Sequence, residues 1–286
     1  MSGPLTEQAP AKINLTLRVL GRRADGYHNL ESLVGFADIA DILALEAGGG
    51  TSLEVSGKFA AACGPLDDNL VLKAAAALKQ RVERLVLGRF TLEKRIPVAA
   101  GLGGGSADAA AALRLIARAN SIAIGDPRLR AAAVAIGADV PVCLESKARV
   151  IRGIGEALSA PLALSVLPAL LVNPRVAMAT GEVFDLLEEA QAGGQPLRDV
   201  PQEHDALIGW LASYRNDLTQ AAIALHSVVG EVLEALRALP GCRLARMSGA
   251  GATCFGLFDS DEKAGSAAQK LRAAGRGWWL HAGSIR

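Results

Sequence analysis

Residues 97–113 constrain this chain most, because they join a glycine-rich loop to a run of strong helix formers. They read Pro-Val-Ala-Ala-Gly-Leu-Gly-Gly-Gly-Ser-Ala-Asp-Ala-Ala-Ala-Ala-Leu, with glycines at positions 101, 103, 104 and 105. Glycines let backbone N–H groups crowd together, and the first turn of a helix adds unpaired donors and the positive end of its dipole. The pattern therefore predicts an anion site at the start of a helix opened by Ser106, with a phosphate as the ligand.

The spacing separates this loop from two familiar nucleotide-binding loops. A Walker A loop ends in Gly-Lys-Ser/Thr, whereas here the glycines run into Ser106 and Ala107 with no lysine. A Rossmann loop needs a third glycine, or an alanine, where this chain has Ser106, and an acidic partner about 20 positions later that is not evident. An oxidoreductase of that class is therefore disfavoured. A glycine-rich turn that only begins an alanine-rich helix stays open.

Composition and charge narrow the class of partner. The 286 residues carry a formal net charge of +1 with no block of like charge, so a nucleic-acid partner is not indicated. The longest uncharged stretch, residues 157–174, is broken by prolines and is too short to span a membrane. Residues 1–10 do not resemble a signal peptide, and the four cysteines and four histidines form no zinc pattern. We expect a cytoplasmic protein with no membrane partner.

Hydrophobic periodicity predicts a mixed α+β chain, and its length fits about two domains. Residues 11–19 alternate strictly between apolar and polar, as in one strand, and residues 69–84 have a helical pattern. Further helices are predicted at residues 180–189, 226–239 and 261–273, and further strands at 39–46, 52–56, 90–96, 170–173, 243–248, 253–258 and 278–282. The predicted domains cover residues 1–158 and 159–286.

Three polar side chains of the first half are candidates for chemistry. Lys12 and Asn14 share one face of the first strand, either as an ordinary solvated face or as a fixed charge beside a reacting group. Asp139 stands among apolar neighbours between Gly137 and Pro141. It is either a capping or turn aspartate or a general base, and as a base it needs a cation such as Lys12 nearby to remain ionised.

Two loops complete the set of candidates. Residues 25–28, Asp-Gly-Tyr-His, combine a turn with an aromatic ring and an imidazole. They are either an ordinary loop or a platform on which a nucleobase stacks. Residues 247–254 form a second glycine turn, Met-Ser-Gly-Ala-Gly-Ala-Thr-Cys, which suits a hairpin or a close backbone approach.

Together these segments resemble the GHMP kinase superfamily of small-molecule kinases. Its three motifs occur in the usual order as Pro10-Ala-Lys-Ile-Asn-Leu15, the loop at 97–106, and Ser248-Gly-Ala-Gly251. Arg23-Ala-Asp-Gly-Tyr-His28 and Gly137-Ala-Asp-Val-Pro141 resemble the branch that acts on a cytidine diphosphate-linked methylerythritol in the non-mevalonate route to isoprenoids. The resemblance covers essentially the whole chain.

This resemblance implies a fold and a reaction. The expected fold is a ribosomal S5 domain 2-like N-terminal domain followed by a ferredoxin-like C-terminal domain, with the site between them. The expected reaction is ATP-dependent phosphorylation of the 2-hydroxyl of the methylerythritol moiety, with Mg²⁺ as a cofactor of unassigned ligands. Asp139 is the implied base and Lys12 its stabilising cation. The implied ATP-binding residues are Val98, Ala99, Ala100, Gly101, Leu102, Gly103, Gly104, Gly105, Ser106, Ala107, Asp108 and Asn69; the implied substrate-binding residues are Asn14, Tyr27, His28 and Thr180.

This chain differs from the usual family pattern at two positions, and two alternative functions remain open. Relatives usually have Ser-Asn where this chain has Ala107-Asp108, so a negative charge stands one turn into the phosphate-binding helix. It either suits the helix dipole or lies near Mg²⁺. The rival functions are a kinase for mevalonate, homoserine or a sugar, and an inactive nucleotide-binding protein. Residues 25–28 argue against the first, and intact Lys12 and Asp139 argue against the second. We expect a monomer or a weak dimer.

Overall fold

The computed structural model describes residues 3–187 and 195–286. They form two compact units whose segments interleave along the chain. Unit 1 is drawn from Met1–Ala11, Ile39–Val98 and Gly103–Ser146, and unit 2 from Lys12–Asp38, Ala99–Leu102 and Lys147–Arg286. The predicted domains at 1–158 and 159–286 are continuous sequence segments rather than these units, and they stay a prediction.

The chain mixes strands and helices throughout, as predicted. The strands are β1 (Leu5–Asn14), β2 (Arg18–Arg22), β3 (His28–Ala47), β4 (Ser52–Ser56), β5 (Gly88–Glu93), β6 (Arg149–Gly153), β7 (Ala157–Leu158), β8 (Leu167–Asn173), β9 (Leu244–Met247), β10 (Cys254–Leu257) and β11 (Trp279–Ile285). The helices are α1 (Leu70–Lys79), α2 (Gly104–Ala119), α3 (Pro127–Ile136), α4 (Val140–Cys143), α5 (Thr180–Asp185), α6 (His204–Ala212), α7 (Thr219–Leu225), α8 (Val228–Arg237) and α9 (Asp261–Ala273).

Unit 1 is built around the alanine-rich helix α2. Residues 107–113 are buried on every side of this helix, and α1, α3 and α4 pack against it. Small side chains allow such close packing, and a helix that is apolar all round has to be buried. Strand β5 pairs with the end of β3, from Ile42 to Ala47, and runs parallel to β4. The chain from β5 leads through the glycine loop into α2, which fixes where that helix begins.

Unit 2 contains an antiparallel sheet in the order β11-β8-β10-β9. Helices α8 and α9 pack on it, and their apolar faces join the core of the unit with Leu170, Val172 and Phe258. Strands β2 and β6 pair with the first part of β3 in the same unit. The turn between β9 and β10 is the second glycine turn of the sequence.

The prediction of one half-exposed strand over residues 11–19 is wrong. Strand β1 ends at Asn14 and β2 begins at Arg18. Asn14 and Thr16, expected on a polar face, are buried, 3% and 1% exposed. Hydrogen bonds offset their burial, because the Thr16 Oγ1 accepts from Leu33 N–H at 2.9 Å and the Asn14 Nδ2 donates to the Ser32 Oγ at 2.8 Å. Alternation alone does not show that a strand is covered on both faces.

Several predicted helix bounds also shift. The predicted helix 69–84 ends at Lys79, and the predicted helix 226–239 is α8 alone, since His226 caps the end of α7. Helix α5 stops at Asp185, and positions 188–189 of its predicted span lie outside the described residues. Helix α9 matches its predicted bounds, because Ser260 caps its start by accepting from Lys263 N–H.

Candidate active site

The first half of the glycine loop, residues 99–102, is held through its carbonyl groups. Each of these four consecutive carbonyl oxygens accepts a hydrogen bond from another segment of unit 2. From residue 99 to residue 102 the donors are Met178 N–H, Thr253 N–H, the Ser248 Oγ and Lys12 N–H, at 3.3, 3.1, 2.9 and 2.8 Å. A trans peptide points its N–H opposite to its C=O. The N–H groups of residues 100–103 therefore point away from these partners.

Position 101 has to be a glycine, because the backbone there has a positive φ and leaves no room for a side chain. Its φ is +74°, in the region that favours glycine. A Cβ atom at this position would lie 2.4 Å from the carbonyl oxygen of Ser248 and 2.6 Å from that of Gly251. Both obstacles are backbone atoms of the second glycine turn, so the two glycine motifs of the sequence pack directly against each other.

The second half of the loop begins helix α2. Gly103 is the N-cap residue with φ +61° and ψ +20°, and the helix starts at Gly104, two residues before the predicted start at Ser106. Within residues 3–187 and 195–286, no protein acceptor is found for the N–H groups of residues 103–106. These donors lie at the positive end of a 16-residue helix. The geometry suits a bound anion.

Asp108 does not line the surface of this loop. Its side chain is 4% exposed and forms an ion pair with the Lys94 Nζ at 2.7 Å, and Lys94 also pairs with Asp41. The sequence interpretation recognised the charge of Asp108 but missed both partners. One signal was present, since Asp41 interrupts the otherwise apolar stretch 39–45 of β3 and a buried carboxylate needs a cation. Asp108 is engaged by Lys94, so we do not assign it as a magnesium ligand.

The remaining predicted ATP-binding residues differ in how far they are exposed. Val98 is partly exposed, and Ala99 is exposed with a φ of +50°; Ala100, Leu102 and Ala107 are buried. Asn69 is the N-cap of α1, with its Oδ1 accepting from Val71 N–H at 3.0 Å. A Cβ built on Gly105 would lie 3.3 Å from the Cδ1 of Leu70. The start of α1 therefore lies beside the start of α2 within unit 1.

Lys12 and Asn14 both belong to the buried end of β1 in unit 2. Lys12 is 4% exposed, and its backbone N–H holds the loop at Leu102, as described above. The Asn14 N–H donates to the Ser248 Oγ at 3.1 Å, and that hydroxyl donates in turn to the Gly101 carbonyl. Ser248 therefore joins the strand that carries Lys12 to the glycine loop, a role that sequence reasoning did not assign.

Asp139 differs from the other aspartate that begins a helix in unit 1. Asp126 is the N-cap of α3, and its Oδ1 accepts from Arg128 N–H at 2.8 Å. Asp139 is the N-cap of α4 but makes no capping hydrogen bond to that helix. Its side chain is partly exposed, above the buried residues 140–143. Of the two alternatives to a general base, a capping carboxylate is therefore not supported, whereas an aspartate of a turn remains open, since residues 138–139 form a turn.

The remaining candidates lie in unit 2. Tyr27 is exposed at the end of a turn closed by Arg23 N–H to Tyr27 O at 2.7 Å. The His28 ring stacks on Phe184, with centroids 4.9 Å apart and an interplanar angle of 20°. Burial, together with the charge of Arg22, lowers the pKa of His28 and so favours the neutral imidazole. Thr180 is the exposed first residue of α5, the helix that carries Phe184.

Two family models match the chain. The model of the GHMP kinases N-terminal domain matches residues 69–147, and the model of the GHMP kinases C-terminal domain matches residues 201–277. The chain belongs to the GHMP kinase family. The family predicted from the three motifs is confirmed, together with its mixed α/β fold.

Individual relatives place the chain within this family. It is 55% identical to a 4-diphosphocytidyl-2-C-methyl-D-erythritol kinase of Rhodopseudomonas palustris (strain BisB5), over 98% of this chain and 99% of the relative. It is 52% identical to the protein of the same name in Bradyrhizobium diazoefficiens, over 98% of each chain. A crystal structure of a 4-(cytidine 5'-diphospho)-2C-methyl-D-erythritol kinase matches with a TM-score of 0.78 and 35% identity, over 98% and 99% of the two chains.

More distant GHMP kinases share the fold alone. The homoserine kinase of Cytophaga hutchinsonii matches with a TM-score of 0.70 at 18% identity, over 100% of this chain and 95% of that one. Membership of a kinase family implies ATP as the co-substrate and a small molecule as the acceptor.

In the part of the chain that the structure describes, no cluster of three or more His, Cys, Asp or Glu side chains could hold a metal ion. None of the helices described there is long and apolar enough to cross a membrane.

Proposed function

We propose that this chain transfers the γ-phosphate of ATP to the 2-hydroxyl of 4-diphosphocytidyl-2-C-methyl-D-erythritol, giving the 2-phosphate and ADP in the non-mevalonate isoprenoid route. One observation carries the proposal: identity of 51–55% over nearly the full length with curated relatives of that name. A cytoplasmic location and a monomeric or weakly dimeric state go with it on the grounds of sequence alone.

The glycine loop is the proposed site of the ATP phosphates. Phosphoryl transfer needs little covalent help from the protein, and positioning and charge stabilisation dominate catalysis. The N–H groups of residues 100–106 supply several donors along one short segment. The carbonyl anchors of residues 99–102 hold this segment in place before the nucleotide arrives, which lowers the cost of ordering it on binding.

Asp139 and Lys12 are the proposed catalytic pair. Asp139 would take the proton of the acceptor hydroxyl, as the resemblance of Gly137-Ala-Asp-Val-Pro141 to the family's motif implies. Lys12 would stabilise that carboxylate and the developing alkoxide from a buried position on β1. General-base help of this kind contributes roughly 10²–10⁴-fold to a rate.

The aromatic residues of unit 2 are the proposed cytidine site. A neutral His28 offers one donor and one acceptor, which suits the hydrogen-bonding edge of cytosine. Its stacking on Phe184 fixes the plane of the imidazole, and we add Phe184 to the proposed contacts for this reason. Tyr27, Asn14 and Thr180 complete the proposed substrate contacts, and Asn69 is proposed to lie near the adenine.

Mg²⁺ is proposed as the companion of ATP rather than as a resident ion. The described residues hold no preformed cluster of ligands, and Asp108 is engaged by Lys94. Mg²⁺ in kinases is commonly bound through substrate phosphates with only one or two protein carboxylates. Its chemistry would be to neutralise charge on the transferring phosphoryl group, and no protein ligand is assigned.

The deciding experiment is an acceptor panel with purified protein, ATP and MgCl₂. The acceptors are 4-diphosphocytidyl-2-C-methyl-D-erythritol, methylerythritol 4-phosphate (which lacks the cytidine), mevalonate and homoserine. We expect ADP release and a new phosphomonoester only with the first. Turnover of mevalonate or homoserine instead would replace the proposed substrate. Binding of ATP without turnover of any acceptor would support an inactive nucleotide-binding protein.

The role of Asp139 is tested by Asp139→Asn against Asp126→Asn. Both changes remove the charge of an aspartate at the N-cap of a helix in unit 1. We expect Asp139→Asn to lower kcat by about 10²–10⁴-fold with ATP still bound, and Asp126→Asn to keep nearly full activity. Equal activity of the two variants would remove Asp139 from the mechanism.

A further inference from the structure

A buried cluster of three charged side chains lies directly under the start of α2. It consists of Asp41 on β3, Lys94 just after β5, and Asp108 on α2, whose side chains are 0%, 4% and 4% exposed. The Oδ1 of Asp41 also accepts from the backbone N–H groups of Arg95 and Ile96, at 2.6 and 2.9 Å. Lys94 therefore bridges one carboxylate that is held by the backbone and a second one that belongs to the phosphate-binding helix.

The charges of this cluster do not balance when all three groups are ionised. Two carboxylates and one ammonium leave one net negative charge without access to water, which is costly. The Oδ2 of Asp108 accepts from Lys94, but its Oδ1 is buried and has no donor among the described residues. A proton shared between Asp108 and Asp41 would satisfy this oxygen and bring the net charge to zero.

The titration of Asp108 agrees with this arrangement. Burial, together with the charge of Asp41 and a hydrogen bond to it, raises the pKa of Asp108 to about 7 against the opposing charge and hydrogen bond of Lys94. Burial lowers the pKa of Lys94, but the two carboxylates outweigh it, so the pKa of that ammonium is raised. Asp108 is therefore the group of the cluster that gains a proton as the pH falls through about 7.

The cluster is close enough to the anion site to affect it. A Cβ built on Gly104, the first residue of α2, would lie 3.5 Å from the Lys94 Nζ and 3.8 Å from the Asp41 Oδ2. No side chain of Gly104 separates these charges from the helix start. A phosphate at the N–H groups of residues 103–106 would be attracted by Lys94 and repelled by an ionised Asp108.

Other groups that face the cluster do not titrate near neutral pH. Burial raises the pKa of the Cys63 thiol, which also interacts electrostatically with Lys94, Asp108 and Asp41, so the thiol stays neutral near neutral pH. Arg95 follows Lys94, and its guanidinium is charged throughout this range. Asp108 is thus the group in this part of the described structure whose charge changes as the pH passes neutrality.

We propose that Asp108 is a positioning residue that takes up one proton from solvent when nucleotide phosphates bind at the start of α2, so that the floor of the site is neutral in the bound state. This inference rests on the proposed ATP site. The proton moves to a carboxylate oxygen of Asp108, which then donates to Asp41 while Lys94 keeps its charge. The affinity for nucleotide consequently falls as the pH rises through neutrality, by up to about tenfold per pH unit for one linked proton.

The test is calorimetry of a non-hydrolysable ATP analogue with MgCl₂, at about pH 8, in Hepes and in Tris. Buffers with different ionisation heats reveal the number of protons taken up on binding. At this pH the magnesium-bound nucleotide is itself fully ionised. We expect wild-type protein to take up a substantial fraction of one proton. Asp108→Asn, which mimics the protonated acid, should bind at least as tightly and take up close to none.

Asp126→Asn is the control, because Asp126 is an aspartate of the same unit whose pKa is lowered to about 2 by Arg128. It should behave like wild type. Equal proton uptake by wild type and Asp108→Asn would overturn the proposal. Binding by wild type without any proton uptake would also overturn it, and this measurement does not depend on whether the variant folds. If wild-type protein does not bind the analogue at all, the proposed ATP site is wrong, and this result differs from binding without proton uptake.

Discussion

The two halves of the glycine loop are stabilised by different physical means. Residues 99–102 are held by four neutral hydrogen bonds to their carbonyl oxygens within unit 2. The helix that follows, from Gly104, rests on the buried ion cluster of Asp41, Lys94 and Asp108 in unit 1. Neutral backbone bonds fix a shape and are insensitive to pH, whereas a buried charge cluster is strong only while every partner is present. One short loop therefore combines a rigid half with a half that can respond to protons.

Lys94→Met should have the largest effect, because it leaves two buried carboxylates without a cation. Removing one partner of a buried ion pair typically costs about 3–5 kcal/mol. We expect a loss of this size in the free energy of unfolding, measured by urea denaturation near neutral pH. Part of the loss should be recovered in acid, where the carboxylates become protonated.

Lys73→Met is the matched control for this change. Lys73 pairs with Asp68 at 3.2 Å in the same unit, but its side chain is 49% exposed. An exposed pair contributes little to stability, so the urea midpoint should hardly move. Similar losses in the two variants would show that burial of the Lys94 cluster does not matter.

Asp108→Asn should change how stability depends on pH. Since the pKa of Asp108 is raised to about 7 in the folded protein by burial, its stabilising contribution is complete below the unfolded pKa near 4. That contribution is lost as the pH rises through about 7. The Asn variant does not titrate there. We expect the urea midpoint of wild type, relative to the variant, to fall from about pH 4 to about pH 7 and then to level off, while a constant difference would contradict the assignment.

Gly101→Ala and Gly104→Ala compare the two halves directly. At Gly101 a methyl group meets two backbone oxygens and needs a left-handed residue, so the loop has to shift. Misplacement of about 1 Å can cost on the order of 100-fold in rate, and we expect a loss of this order in kcat/KM for ATP. At Gly104 the nearest atoms stand 3.5 Å or more away, so the effect should be only a few-fold. Equal losses would mean that the anchored half is not the more rigid one.

The sequence was sufficient for the family and for a glycine loop that leads into a helix, because these motifs are local. Helix α9 was predicted with correct bounds for the same reason, since its cap and its apolar face are both local. The burial of Asn14 and Thr16 was not predictable from alternation, which cannot show what covers the second face. The partners of Asp108 were missed because Asp41 and Lys94 are 67 and 14 residues away along the chain, and only the packing of β3 against β5 and α2 brings the three together. Whether Lys12 and Asp139 act on one hydroxyl stays a prediction.

Ser248→Ala should have a smaller effect on nucleotide binding than Gly101→Ala, but it distinguishes the anchoring of the loop from the general stability of the protein. The change removes the donor to the Gly101 carbonyl and the acceptor of Asn14 N–H in a fully buried position. Each backbone group left unsatisfied costs about 1–3 kcal/mol. Ser32→Ala is the matched control, because Ser32 is also fully buried and bonds the Asn14 side chain but makes no bond to the loop. Both variants should lose stability, measured by urea midpoint, but only Ser248→Ala should also weaken binding of the ATP analogue by several-fold. If Ser32→Ala weakens nucleotide binding equally, the loop is held by the general rigidity of β1 and not by its own carbonyl anchors.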